Sequence, residues 1–301
     1  MTTENYLTDF DQWWDYNLWD YNQPALSEER FRQCLLTVDR NSAPYAEILT
    51  QLARAQGLQR KFLEAHHTLD QAQALLEPLS SHQPSRPLLR YWLERGRVFN
   101  SARQPAQARP LFLQAWEQAR ATGEDFYAVD AAHMLGIIEP PDQQLSWNLK
   151  ALALAEQSTD PRTQKWLGSL YNNIGWSYHD LQQDQAALPI FQKALAWREA
   201  QGQPRETQIA EWSVARILRA LNRVAEAYTM QQALLIALEQ SGDTDGYVQE
   251  ELGECLLLLQ RPDEAQAHFA AAYSLLAKDA WLAEHESARL ERLRTLGKVG
   301  R

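Results

Sequence analysis

The chain has 301 residues, of which 45% are hydrophobic, 10% aromatic and 23% charged, enough apolar material for a large folded core and too much for a disordered chain. With only 12 Gly and 13 Pro it lacks the turns that an all-β protein of this length needs. Its net charge of −10 opposes phosphate backbones, so nucleic-acid binding is not expected.

The chain opens on an acidic, aromatic segment. Residues 1–29 hold seven acids (Glu4, Asp9, Asp11, Asp15, Asp20, Glu28, Glu29) and neither Lys nor Arg, and WWDYNLWDYNQP at 13–24 carries WDYN twice, five residues apart. No charged start followed by an apolar run opens it, so no secretory signal is expected. The longest apolar stretch, 255–259, is far too short to cross a bilayer. Cys34 and Cys255 lie in Leu-rich surroundings without metal spacing and read as small core residues of a reducing compartment. These features point to a cytoplasmic protein without membrane attachment.

From residue 45 to residue 278 one pattern recurs. In YNNIGWSYHDLQQDQAALPIFQKAL (171–195), Gly175 is followed 12 residues later by Ala187, then by Phe191 and Ala194. The same offsets relate Gly96, Ala108, Phe112 and Ala115, and again Gly253, Ala265, Phe269 and Ala272. Three further sets fit with weaker letters: Ala53, Ala65, Leu69, Ala72; Ala132, Gln144, Asn148, Ala151; Ala215, Ala227, Gln231, Leu234. Each unit reads as two helices, because Tyr171, Ile174, Gly175 and Tyr178 share one helical face, and Ala187, Phe191 and Ala194 share another. Short polar turns such as LQQDQ separate them. Small residues let two helices approach closely, and neither can bury its face alone, so the pairs must stack.

These residues resemble the tetratricopeptide repeat, a helix-turn-helix unit that stacks into a right-handed superhelical solenoid. The resemblance covers about residues 45–278. The second-helix landmarks 65, 108, 144, 187, 227 and 265 are 36 to 43 residues apart, longer than the usual ~34. The extra length follows the second helix, as in the longer repeats of kinesin light chains, which YNNIGWSYHDL also resembles. HEAT and armadillo arrays lack the small-residue pattern. The resemblance implies an all-α solenoid and a bacterial stand-alone repeat protein with an interaction role.

Counting back at the same offsets puts Asp15, Ser27, Phe31 and Cys34 in the four landmark places. Residues 8–20 are then expected to form the first helix of a seventh, divergent pair within an N-terminal segment 1–44. Phe10, Trp13, Trp14, Leu18 and Tyr21 share a broad helical stripe. The two WDYN copies would point about 140° apart and so do not serve one contact. Pro24 is expected in the turn, with Ser27-Glu28-Glu29 opening the next helix. The segment reads as a cap on the solenoid end, the alternative being a segment docked in a groove, its own or a neighbour's. At 279–301, DAWLAEHESARLERLRTLGK reads as a capping helix with Trp281 and Leu290 inward and its basic residues outward. The acidic start and basic end permit head-to-tail contact between copies, a homo-oligomer.

Catalytic signatures are absent: no phosphate-binding Gly-rich loop, GxSxG, HExxH or Cys-x-x-Cys occurs. His66 and His67 diverge by about 100° on a helix and chelate poorly together. Neither enzyme activity, cofactor nor metal is expected.

In tetratricopeptide arrays the first helices line a concave groove that takes a peptide. The resemblance carries the place after each small residue into that groove: Arg54, Arg97, His133, Trp176, Arg216 and Glu254. Three residues later come Asn100, His179 and Arg219; two before the small residue come Gln51, Glu94, Asp130, Asn173, Ser213 and Glu251. Trp212 shares the face. Asn173 resembles the asparagine by which kinesin-light-chain-type repeats hold a peptide backbone, since one amide both donates and accepts. Arg54, Arg97, Arg216 and Arg219 can meet carboxylates, and Trp176 and Trp212 offer apolar faces. The expected partner is a protein or peptide, acidic and with an aromatic or apolar anchor. The competing reading pairs Arg97 with Glu94 and leaves Arg216 and Arg219 solvating a helix face. The expected function is a scaffold or adaptor, with a signal-responsive regulator of the bacterial peptide-sensing type as the alternative.

Overall fold

The structure, a computed structural model, describes residues 18–79 and 85–300. Among the described residues every regular element is helical. The chain divides into two compact units, Met1–Trp166 and Leu167–Arg301. Unit 1 holds α1 (Pro24–Leu35), α2 (Ala43–Leu58), α3 (Phe62–Leu76), a 3-10 turn at Glu77–Leu79, α4 (Arg86–Ser101), α5 (Pro105–Thr122), α6 (Asp125–Ile138), α7 (Pro141–Gln157) and the short α8 (Pro161–Gln164). Unit 2 holds α9 (Leu167–Asp180), α10 (Asp184–Ala200), α11 (Pro204–Ala220), α12 (Val224–Ser241), α13 (Gly246–Leu258), α14 (Pro262–Leu276), α15 (Ala280–His285) and α16 (Ser287–Leu296). The division falls inside the region that the sequence reads as one array.

Consecutive helices pack as hairpins: α2 with α3, α4 with α5 and α6 with α7 in unit 1; α9 with α10, α11 with α12 and α13 with α14 in unit 2. Five of these hairpins close with the same turn. Arg60, Arg103, Gln182, Asn222 and Gln260 take left-handed φ values of 63, 59, 59, 60 and 60°. The next N–H then reaches back five residues to a helix carbonyl: Lys61 to Gln56, Gln104 to Phe99, Gln183 to Tyr178, Arg223 to Leu218 and Arg261 to Leu256, all at 2.8–3.0 Å. That bond satisfies a carbonyl the helix end would leave unpaired. The sixth hairpin turns at Glu139-Pro140 instead, and Pro141 opens α7 where its missing N–H has no cost.

The repeat landmarks meet inside each hairpin. A Cβ on Gly96 would lie 2.5 Å from the Phe112 ring, one on Gly175 2.6 Å from Phe191, and one on Gly253 2.8 Å from Phe269. The glycines are therefore the space that the phenylalanine edges fill, and all three rings are buried. In two of the three sets with weaker letters the core carries a defect. Asn148 and Gln231 occupy the Phe place, both buried, and Asn148 Oδ1 and both amide atoms of Gln231 lack a hydrogen-bond partner. Gln144 departs from the other Ala places, being only half-buried.

Both ends differ from the sequence expectation. Most of the expected first helix, 8–17, lies outside the described residues, and Leu18–Asp20 is not helical. α1 begins at Pro24 rather than near Ser27, because Asp20 Oδ1 already accepts the Asn22 and Gln23 N–H groups at 3.0 and 3.1 Å and shapes the turn. The second WDYN copy is thus ordinary structure: Trp19 stacks on Tyr21 at 4.8 Å, meets Phe31 edge-on at 5.0 Å and donates to Gln51 Oε1 at 3.0 Å. Ser27, Phe31 and Cys34 are buried. At the other end the expected single helix is two, broken at Glu286. Leu282, Leu290 and Leu293 pack on α14, but Trp281 is 57% exposed and stacks on His285 instead of turning inward. The break ends α15 too early for Trp281 to share a stripe with Leu290.

Candidate functional site

The first helices carry a ladder of ion pairs that spans neighbouring hairpins. In unit 1, Glu47 of α2 accepts from Arg90 of α4 at 2.7 Å, and Arg90 reaches Tyr127 Oη of α6 at 3.0 Å. Arg54 of α2 meets Glu94 of α4 at 3.3 Å; Glu94 also accepts from Arg97 at 2.9 Å, and Arg97 pairs with Asp130 of α6. Burial opposes the charge of Arg97, but Asp130 and Glu94 outweigh it and raise its pKa. Glu94 Oε2 remains buried without a partner. His133 lies 5.0 Å from the Trp166 ring, and burial pushes its pKa below the ordinary value, with Arg97 acting in the same direction.

Unit 2 repeats the device. Glu251 of α13 accepts from Arg219 of α11 at 2.7 and 3.0 Å and forms an ion pair with Arg216 at 3.2 Å. Glu250 and Glu254 of α13 pair with Arg289 and Arg292 of α16. The basic C-terminal helix therefore spends these charges within its own chain, as does Arg294 on Glu291. That weakens the head-to-tail expectation, since these arginines already have carboxylates.

Each of the four arginines expected in the groove thus meets an acid of this chain. The pairing of Arg97 with Glu94 forms as the competing reading had it. Arg216 and Arg219 do more than solvate a face: they share one carboxylate, which leaves a net positive charge between them.

The aromatic residues, by contrast, form an open row along the first helices of unit 2. Trp176 of α9 lies 5.8 Å from Trp212 of α11, and Trp212 lies 6.2 Å from Tyr247 of α13. Trp176 also rests edge-on against the buried Phe191 at 5.0 Å, which fixes its ring. Beside the row, a cavity of about 810 Å³ opens between α11, α12 and α13. Trp212, Ile209, Leu234, Leu238, Val248 and Tyr247 form its apolar walls, with Arg205, Asp243 and Asp245 among its polar lining. Ile209 is 52% exposed, and Trp212 Nε1 is buried without an acceptor. Asn173 sits on the same unit's first helix, half-buried, with its carbonyl accepting from Ser177 at 2.8 Å. Sequence reasoning missed Ile209 and Tyr247; their signal was an apolar residue on an otherwise polar stretch of first helix.

Among the described residues no cluster of three or more His, Cys, Asp or Glu is placed to hold a metal, and no helix is long and apolar enough to cross a membrane. Cys34 and Cys255 are buried free thiols, and burial with nearby Glu251 pushes Cys255 up to about 12.

Helical hairpins closed by a small residue against an aromatic ring, and stacked through their first helices, define a helical-repeat protein. Residues 168–201, spanning α9 and α10, match the tetratricopeptide-repeat family model. The described residues are all helical and have the fold of tetratricopeptide-repeat solenoids, with one repeat, 168–201, matched by the family model. No curated protein matches it by sequence. Its fold is similar to RapI, with a TM-score of 0.72 and 10% identity over 98% of this chain and 81% of that one. It is also similar to a signal-transduction ATPase with a tetratricopeptide repeat sensor from Pyrococcus horikoshii, with a TM-score of 0.71 and 16% identity over 90% of this chain. This chain spans only 41% of the length of that ATPase. NprR in complex with its cognate peptide NprX is a third, with a TM-score of 0.52 and 15% identity over 98% of this chain and 85% of that one.

Proposed function

We propose that this protein is a non-catalytic interaction scaffold that takes a peptide or protein segment along the first-helix face of unit 2. The observation that carries this reading is the row Trp176, Trp212 and Tyr247 beside the 810 Å³ cavity. A concave apolar site with a few polar groups is what a side-chain anchor needs, and aromatic residues dominate the energetics of such contacts. Asn173 grips ligand backbone, and the net charge left by Arg216 and Arg219 on Glu251 favours an acidic ligand. In unit 1, Arg54, Arg97 and His133 serve the corresponding face, there chiefly by holding the first helices together through Glu94 and Asp130. The roles as a scaffold and as a protein-binding member of this fold class are supported by NprR, a neighbour of the same fold solved with a peptide.

The test is selection of random peptides on the full chain, followed by calorimetry with the best binder. Trp212→Ala is expected to weaken it by about 2 kcal/mol or more, as loss of a buried aromatic anchor does, and Trp176→Ala by a comparable amount. Equal affinity for both variants and the parent would place the binding surface elsewhere. A second reading, a regulator whose helix stack responds to a peptide, is favoured by the same neighbour and predicts a ligand-induced change in small-angle scattering, which a passive scaffold lacks.

A further inference from the structure

Near the end of each second helix the repeats place an apolar core residue: Leu76, Ala119, Ala155, Leu238 and Leu276, all buried. In α10 that place is held by Arg198. Its packing is that of the residue it replaces. Gly246 leaves room for Leu276, whose Cγ lies 2.6 Å from where a Gly246 Cβ would be; Gly168 likewise leaves room for Arg198, whose guanidinium lies 2.5–2.7 Å from that point. Here a charge occupies a leucine's place. Among the described residues Arg198 has no carboxylate within ion-pair distance. Its guanidinium donates from Nη1 to Gln203 Oε1 at 2.5 Å and lies 5.0 Å from the Trp197 ring centroid. Burial disfavours the charged guanidinium, and the field of Glu206 offsets only part of that.

Arg198 lines a cavity of about 230 Å³ together with Ser169, Asn172, Glu206 and Ile209. Ile209 also lines the 810 Å³ apolar cavity, so the two lie on either side of one exposed side chain. We propose that the Arg198 cavity is a carboxylate subsite, and that one ligand places a carboxylate there and an apolar side chain in the neighbouring cavity beyond Ile209. A guanidinium matches a planar carboxylate through paired N–H donors. The Ser169 hydroxyl and Asn172 amide add neutral donors around it. Glu206 sets the charge: one nearby carboxylate leaves a monoanion acceptable and makes a phosphate dianion unfavourable. An arginine kept partly desolvated, with its nearby acid Glu206 beyond ion-pair distance, costs stability, and a ligand carboxylate supplies the close pairing that the chain omits. This subsite rests on the first-helix-face reading and names the chemistry of its ligand.

Two random heptapeptide libraries, one with free and one with amidated C-termini, are selected on the full chain. Binders are expected to combine a carboxylate with a Phe, Tyr, Trp, Leu or Ile. Asp or Glu enrichment in the amidated library identifies a side-chain carboxylate; binders from the free library alone identify a C-terminal one. Arg198→Leu restores the residue type of the sibling repeats, so it should unfold at or above the parent's midpoint while losing at least tenfold in affinity. Arg198→Lys should lose less. Binders without carboxylate enrichment, or carboxylate peptides bound within twofold by Arg198→Leu, overturn the subsite. If those same peptides still fail on Trp212→Ala, the face stands and only the carboxylate assignment falls. Libraries that return no binder overturn both.

Discussion

Gly175 offers the most direct check on how the repeats hold together. In Gly175→Ala the new Cβ would sit 2.6–2.7 Å from Cζ, Cε1 and Cε2 of Phe191, a ring with no exposed surface. Either the ring or a helix must move, and overpacking of this kind costs about 1–3 kcal/mol. Against that, alanine in a helix interior is favoured over glycine by about 1 kcal/mol. The two terms leave Gly175→Ala between neutral and about 2 kcal/mol destabilised, and the bulkier Gly175→Leu beyond it. The decisive measurement is a double-mutant cycle with Phe191→Leu, followed by urea unfolding and far-UV circular dichroism. With the ring gone, alanine should express its helix preference, so Gly175→Ala should stabilise the Phe191→Leu background by up to about 1 kcal/mol. A full gain from Gly175→Ala in the parent itself, with no coupling to Phe191, would refute the contact.

Four further outcomes follow from named atoms. Gln182 holds a left-handed conformation that glycine adopts freely, so Gln182→Gly should raise stability by about 1 kcal/mol in urea unfolding. Gln231→Met removes two buried, unpartnered amide atoms while filling similar space, and should stabilise by about 1–2 kcal/mol in the same assay. Arg97→Met strands Asp130 and should cost about 3–5 kcal/mol; a change within about 0.5 kcal/mol would mark Arg97 as a free surface cation. Burial would raise the pKa of Glu28, but hydrogen bonds from Lys61, Arg32 and Gln59 hold it at about 2, below its ordinary 4.5. Its contribution is therefore present above pH 4.5 and lost as pH falls through about 2, and acid titration of Glu28→Gln should lack that loss.

The hairpin array was legible because its determinants are local and periodic. Gly96, Gly175 and Gly253 face phenylalanines 16 residues on, a spacing that two helices and a fixed turn impose. The common turn left no letter of its own, since Arg60, Arg103, Gln182, Asn222 and Gln260 share only a backbone angle. The helix break at Glu286 was hidden for a related reason: no Gly or Pro marks it, and only the failure of Trp281 to reach the core reveals it. Unsatisfied Asn148 and Gln231 were visible as weak letters, but nothing in the sequence distinguishes a tolerated defect from a misplaced frame.

Charge was the harder feature, and the reason is again the period. Arg54 meets Glu94 40 residues on, Glu250 meets Arg289 39 residues on and Glu254 meets Arg292 38 residues on. One repeat along the chain is one helix across in space, so an arginine on a first helix must be read against the acids one repeat away before it is assigned to a ligand. Arg54, Arg97, Arg216 and Arg219 all find such an acid. Arg198 does not: one repeat before it stands Ala155 and one after it Leu238, both core residues. An arginine in an apolar place of its repeat meets no acid one repeat away, whereas one that completes an ion-pair ladder does. By that physical criterion Arg198, at the end of α10 and off the ladder, is the charge we propose for a ligand carboxylate, in addition to the charge that Arg216 and Arg219 leave on Glu251.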